Sequence, residues 1–200
     1  AKAAPALCQP AALATLLACG VMIARVVVLS AVVSMPLALR LLLPCAAMLL
    51  GYGVAGLLLR WQARRGQGER APSADHPVLV LDNPFELGSA LKFGLVYALV
   101  LLLSRGLHSY LGSRGLYLAS VVAGLADVDS ITLAAARLAR EGAAQSVAAT
   151  SVLIAVASNT VAKTVLAWTA GGGPFVRRVA LGHGVAVLLG GAGLLWSWLR

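Results

Sequence analysis

Two aspartates inside an apolar run offer the most chemistry in this sequence. The run reads Leu125-Ala126-Asp127-Val128-Asp129-Ser130-Ile131-Thr132. Three more polar points interrupt other apolar runs: Arg25, the string Ser158-Asn159-Thr160, and Lys163 just beyond it. Carboxylates flanked by hydroxyls and an amide are hard oxygen donors, suited to protons or to Mg²⁺-like cations. Arg25 and Lys163 formally balance Asp127 and Asp129.

Their surroundings make these charges unusual. Of 200 residues, 60% are hydrophobic and 12% charged, about half the charged share of a soluble domain. Mean hydropathy is +0.89. So much apolar surface calls for a bilayer as solvent, and a lipid bilayer is the expected partner. Asp127 then lies roughly 16 Å along its helix, near the middle of a ~30 Å hydrocarbon core. Each charge at that depth costs about 2.5–3.5 kcal/mol, so four isolated ones would cost on the order of 10 kcal/mol. They must meet each other, water or a ligand.

The elements that position them are six apolar segments, each near the length that crosses a bilayer. They fall at about 12–33, 37–59, 87–111, 116–139, 144–170 and 177–199, with Ser34-Met35-Pro36 as a turn and 60–82 as a cytoplasmic linker. All 200 residues read as one transmembrane domain. Asn83-Pro84-Phe85-Glu86 forms a capping box before the third helix. Residues two apart on a helix point about 200° apart, so Asp127 and Asp129 cannot face one site unless the helix is unwound. Gly124 and the Asp/Ser/Thr run favour a break there. Ser158-Asn159-Thr160 reads as a matching weak point in the fifth helix, and Pro44 loosens the second.

Residues 84–94 read PFELGSALKFG and residues 174–184 read PFVRRVALGHG. The shared Pro-Phe, Ala-Leu and Gly open the third and sixth helices. The fold expected is an all-α polytopic membrane protein: two inverted three-helix repeats with broken helices at the midplane.

Net charge is +9, but the basic residues sit in short polar gaps. That distribution sets topology and excludes a nucleic-acid-binding stripe. Lys2, Arg60, Arg64, Arg65, Arg70, Arg137, Arg140 and Arg200 fall on one side. Arg40, Arg114, Arg177 and Arg178 fall on the other. Both termini are therefore expected in the cytoplasm. Cys8, Cys19 and Cys45 match no metal or disulfide framework and read as small hydrophobes. His76, His108 and His183 read as linker or interfacial residues. The chain opens on Ala1 without a signal-peptide pattern, as expected of a processed product or a fragment.

Asn83-Pro-Phe, Ser89-Ala90-Leu91-Lys92-Phe93, Gly115-Leu-Tyr-Leu, the Gly124-to-Thr132 string and Ala157-Ser-Asn-Thr-Val-Ala-Lys163 resemble a family. It is the uncharacterised membrane domain that often follows the MgtC/SapB domain in bacterial proteins. The resemblance implies a bacterial inner-membrane protein, an MgtC/SapB-type domain as partner, and a loose tie to magnesium.

The function expected is a transporter or channel for a small cation. Asp127, Asp129, Asn159, Thr132, Thr160 and Ser158 would bind the ion, with Asp127 and Asp129 as ligands if it is a bound divalent cation. Arg25 and Lys163 would be countercharges. The alternative is a non-transporting module that regulates or scaffolds a partner, its charges closed into structural pairs. No enzyme chemistry and no other cofactor is expected, since no further carboxylates lie at membrane depth. Small-residue faces, such as Gly51-Tyr52-Gly53 with Gly56, are compatible with a homodimer.

Overall fold

A computed structural model describes residues 8–66, 87–170 and 173–198. Among them are seven helices and no strand: α1 Cys8–Val33, α2 Met35–Gly66, α3 Leu87–Leu111, α4 Ser113–Ala126, α5 Val128–Arg140, α6 Gln145–Ala170 and α7 Gly173–Trp198. The capping box, His76 and most of the expected linker lie outside the described residues.

Leu- and Ala-rich composition favours helix throughout, and the breaks fall where the chemistry changes. The turn after α1 is shorter than expected. Ser34 alone separates α1 from α2, and its N–H donates to the Ser30 carbonyl at 2.7 Å. Pro36 lies in the first turn of α2, where a missing N–H is no loss. At its other end α2 runs on through Trp61-Gln62-Ala63 to Gly66, into the expected linker, because nothing in that stretch breaks a helix. Between α3 and α4 the chain reverses at Gly112, whose φ of +58° is open to glycine at little cost.

Helices α1, α2 and α7 pack together, α4 lies between α3 and α6, and α6 also touches α2 and α7. Helix α5 packs on α1, α3, α4 and α6. Ten of its 13 residues are buried, which makes it the interior strut of the bundle.

Four helices are long and apolar enough to cross a membrane: Pro10–Val33, Met35–Trp61, Gln145–Thr169 and Phe175–Ser197. The outer surface is apolar on both packing groups, with Leu17, Val32, Leu57, Leu102, Val122 and Leu188 exposed. The interior holds Asp129, Ser130, Thr132, Asn159, Thr160 and His183. Apolar outside and polar within is the reverse of a soluble monomer, which rarely exposes apolar patches beyond a few hundred Å².

Candidate functional site

The helix expected over 116–139 is two helices. Asp127 separates them with an extended backbone, φ −156° and ψ 130°. Its N–H donates to Ala123 O at 2.8 Å, closing α4. Its carboxylate opens α5, accepting from the Asp129 N–H at 3.2 Å, the Ser130 N–H at 2.8 Å and the Ser130 hydroxyl. An aspartate bonded to the second and third N–H groups of a helix is an N-cap. One side chain therefore explains the break. Since α4 has 14 residues and α5 has 13, Asp127 stands at the centre of the pair.

The break also reorients Asp129, which sits in the first turn of α5, its side chain 11% exposed. Asp129 Oδ2 meets Arg25 Nη2 of α1 at 2.6 Å. Asp127 and Asp129 thus part company: one caps a helix, the other closes an interhelical ion pair.

Helix α6 holds the other side. Gly124 stands so close to α6 that a Cβ there would meet Ala155 O at 2.5 Å and Ala155 Cα at 2.7 Å. This approach lets the Asn159 amide donate to Gly124 O at 3.0 Å. A carbonyl accepts only from the amide nitrogen, so Asn159 Oδ1 points away, buried and without a partner. The Ser158 hydroxyl donates to Val121 O at 2.7 Å, tying α6 to α4. The Thr160 hydroxyl donates to Val156 O within its own helix. Ser158 and Thr160 are thus taken up by backbone carbonyls. Thr132, one turn beyond Asp129, keeps its hydroxyl buried without a partner.

Contrary to expectation, α6 runs unbroken through Ser158-Asn159-Thr160. A hydroxyl returning its proton to the carbonyl four residues back stays within helix geometry. Helix α2 likewise continues through Pro44. Among the described residues, only the fourth apolar segment is broken within its length.

A cavity of about 500 Å³ lies at the break, walled by Arg25, Asp127, Asn159 and Lys163 with Ala18, Val21 and Met22. The Lys163 ammonium lies 3.0 Å from Met22 Sδ, and among the described residues no carboxylate pairs with it. No cluster of three or more His, Cys, Asp or Glu residues that could hold a metal occurs among the described residues. A cation there would take Asp127 and neutral oxygens. Asp127 Oδ1 accepts one bond and retains a lone pair, and Asp129 Oδ1 and Asn159 Oδ1 are unpartnered.

A second polar cluster was not legible as one. His183, expected at an interface, is 3% exposed, and Cys19, buried in the core as expected of a small hydrophobe, also faces it. His183 Nε2 lies 3.5 Å from Cys19 Sγ of α1, and Nδ1 lies 2.7 Å from the Thr164 hydroxyl of α6. Its ring meets Tyr52 of α2 edge-on, centroids 5.9 Å apart. Counted from the expected segment start at 177, His183 lies only roughly 9 Å along; α7 starts earlier, at Gly173, which puts it roughly 15 Å along and deeper than expected.

With this geometry in hand, comparison with known proteins bears on identity. Residues 1–171 match the family model described as Domain of unknown function (DUF4010). The chain belongs to this family. It is also 35% identical over 125 residues to an uncharacterised protein of Aquifex aeolicus (strain VF5), covering 62% of this chain. The match covers 50% of that relative, so the chain spans about half the length of the curated relative it matches. No solved structure matches it. The family match takes in the Asp127 break and the Asn159 region of α6, while α7, with His183, lies beyond it.

Proposed function

We propose that this chain is an integral membrane transporter or channel for a small cation, with its ion site at the α4–α5 break. The observation that carries the reading is the 500 Å³ cavity against Asp127. It lies at the centre of a broken helix, where α4 ends on free carbonyls and Asn159 lines the wall, with the partnerless oxygens of Asn159 and Asp129 buried behind it. Asp127 and Asn159 are the ligands, and Asp129 and Thr132 stand behind them. Arg25 fixes Asp129, and Lys163 is a tethered cation that an arriving ion must outcompete. Magnesium or a proton-coupled ion fits a hard-oxygen site of this kind.

In this reading the chain spans the bacterial inner membrane six times, α4 and α5 together forming one crossing and α3 another. Both termini face the cytoplasm and all 200 residues form one domain. The inverted repeat finds support in the packing. The third helix of each half packs on the opposite half, α3 against α4 and α5, α7 against α1 and α2. A homodimer and an MgtC/SapB-type domain are the partners proposed.

One observation favours the alternative. The Arg25–Asp129 pair is the structural bridge that a non-transporting scaffold would need. Flux into proteoliposomes separates the two. Mg²⁺, other divalent ions, K⁺, Na⁺ and protons are offered to wild type, Asp127→Asn and Asp129→Asn. Loss of flux in folded Asp127→Asn supports the ion site. No flux for any ion, with variants altered only in stability, rejects it in favour of the scaffold.

A further inference from the structure

Cys19, His183 and Tyr52 do not line the cavity at the α4–α5 break, which they adjoin through Met22, and they carry their own chemistry. Two donors bound to one tetrahedral ion at about 2.0–2.3 Å stand roughly 3.5 Å apart. Cys19 Sγ and His183 Nε2 stand 3.5 Å apart, from residues 164 positions distant in sequence.

The imidazole is also held in the state a metal needs. The Thr164 hydroxyl has one proton and gives it to the Thr160 carbonyl at 2.8 Å. It can therefore only accept from His183, at 2.7 Å, which places the ring proton on Nδ1. A neutral ring then directs the Nε2 lone pair at Cys19. Fixing one ring nitrogen so that the other ligates is what supporting residues do in metal sites.

Two further donors lie nearby. The Tyr52 hydroxyl, on a residue 4% exposed, approaches Cys19 and Thr160 but makes no hydrogen bond of good geometry. Met22 stacks one turn beyond Cys19 on the same face of α1. The donor set is thiol, imidazole, phenol and thioether. Soft sulfur donors of this kind select Cu(I).

Charge selects the same ion. The Lys163 ammonium lies against Met22, so an added positive charge in this buried place is unfavourable. Binding a monovalent ion releases the Cys19 proton and leaves the net charge unchanged. A divalent ion would add one charge. We propose that Cys19, His183 and Met22, with Tyr52 beside them, form a buried site for a soft monovalent metal ion, Cu(I), held between α1, α2 and α7. The thiol proton leaves as the copper–sulfur bond forms, and no electron is transferred.

The test uses the full chain in detergent with Cys8→Ala and Cys45→Ala, so that Cys19 is its one thiol. Cu(I), kept reduced with ascorbate, is titrated against a chromophoric Cu(I) chelator. One Cu(I) per chain is expected. Cys19→Ser and His183→Gln should weaken it by more than about a hundredfold, and Thr164→Val, which only positions the ring, by about 10–100-fold. Zn²⁺ should bind at least about tenfold more weakly, reflecting the added charge. Asp127→Asn should bind Cu(I) as before, whatever the outcome at the cation site. Because Cys19 or His183 variants can fail to fold, X-ray absorption of the copper-loaded chain with both residues intact is the second readout. Sulfur with nitrogen in the coordination shell supports the site. Absent binding, binding indifferent to Cys19, or a shell lacking sulfur overturns it.

Discussion

Replacing Gly124 with alanine tests how the site is held. The added Cβ would stand 2.5 Å from Ala155 O, 2.7 Å from its Cα and 2.9 Å from its carbonyl carbon. All three are backbone atoms of α6, so no rotamer change can give way. Restoring ordinary contact needs α4 and α6 to part by about 1 Å. That shift stretches the Asn159–Gly124 hydrogen bond, now 3.0 Å, beyond bonding range. It also strains the Ser158–Val121 bond, now 2.7 Å. Overpacking of this kind costs about 1–3 kcal/mol, and each interhelical hydrogen bond in a membrane is worth about 0.6 kcal/mol. Alanine returns up to about 1 kcal/mol in helix propensity. The net expectation is a loss of about 1–3 kcal/mol. Gly53→Ala is the control, since a Cβ there meets nothing within 4 Å, and it should be neutral or stabilising. Unfolding in mixed micelles, monitored by circular dichroism, gives both values. If Gly124→Ala is as stable as Gly53→Ala, the close α4–α6 approach is wrong, and with it the placement of Asn159.

Three other outcomes follow from the same geometry. Asp127→Asn keeps an acceptor for the α5 N-terminus and should cost less than about 1 kcal/mol, whereas Asp127→Ala orphans two N–H groups and should cost about 2 kcal/mol or more, read in the same assay. Asp129→Asn alone leaves Arg25 uncompensated, so the double variant Arg25→Met/Asp129→Asn should be more stable than the single by at least about 1 kcal/mol, measured as a double-mutant cycle. Glu141→Gln removes the Arg105–Glu141 bridge, whose side chains are about half exposed, and should shift stability by less than about 1 kcal/mol.

Much of the site was readable because each signal was local. A carboxylate preceded by Gly124 and followed by Val128-Asp129-Ser130 competes for the N–H groups two and three residues on, and the break falls at Asp127 for that reason. Mid-core depth followed from counting residues. What the sequence could not supply was partner choice. Nothing local says that Arg25 selects Asp129 rather than Asp127, or that Asn159 spends its amide on a carbonyl of α4. Those pairings depend on which helices touch. Ser158-Asn159-Thr160 misled because hydroxyls and an amide weaken a helix only when they bond their own backbone in non-helical geometry. Here Ser158 and Asn159 bond a neighbour, and Thr160 bonds within helical register. His183 and Cys19 carry no such local signal, because neither has a ligand-spaced partner in sequence; each meets the other only across the bundle.

The cap at Asp127 also bears on how the chain is made. Neither α4 nor α5 is long enough to cross a bilayer alone. Helix α5 carries Asp129, Arg137 and Arg140, and it leaves the ribosome before α6. While nascent it lacks the Asn159 contact to α4, though α1 with Arg25 is already in place. Before α6 emerges, α5 can dock on α3 and α4 and on α1 through the Arg25–Asp129 pair, and α6 locks α4 only afterwards. Biogenesis is expected to pass through a stage in which the α4–α5 segment waits at the translocon or the membrane surface. Chains truncated before α6 should remain extractable there, and full-length chains should not.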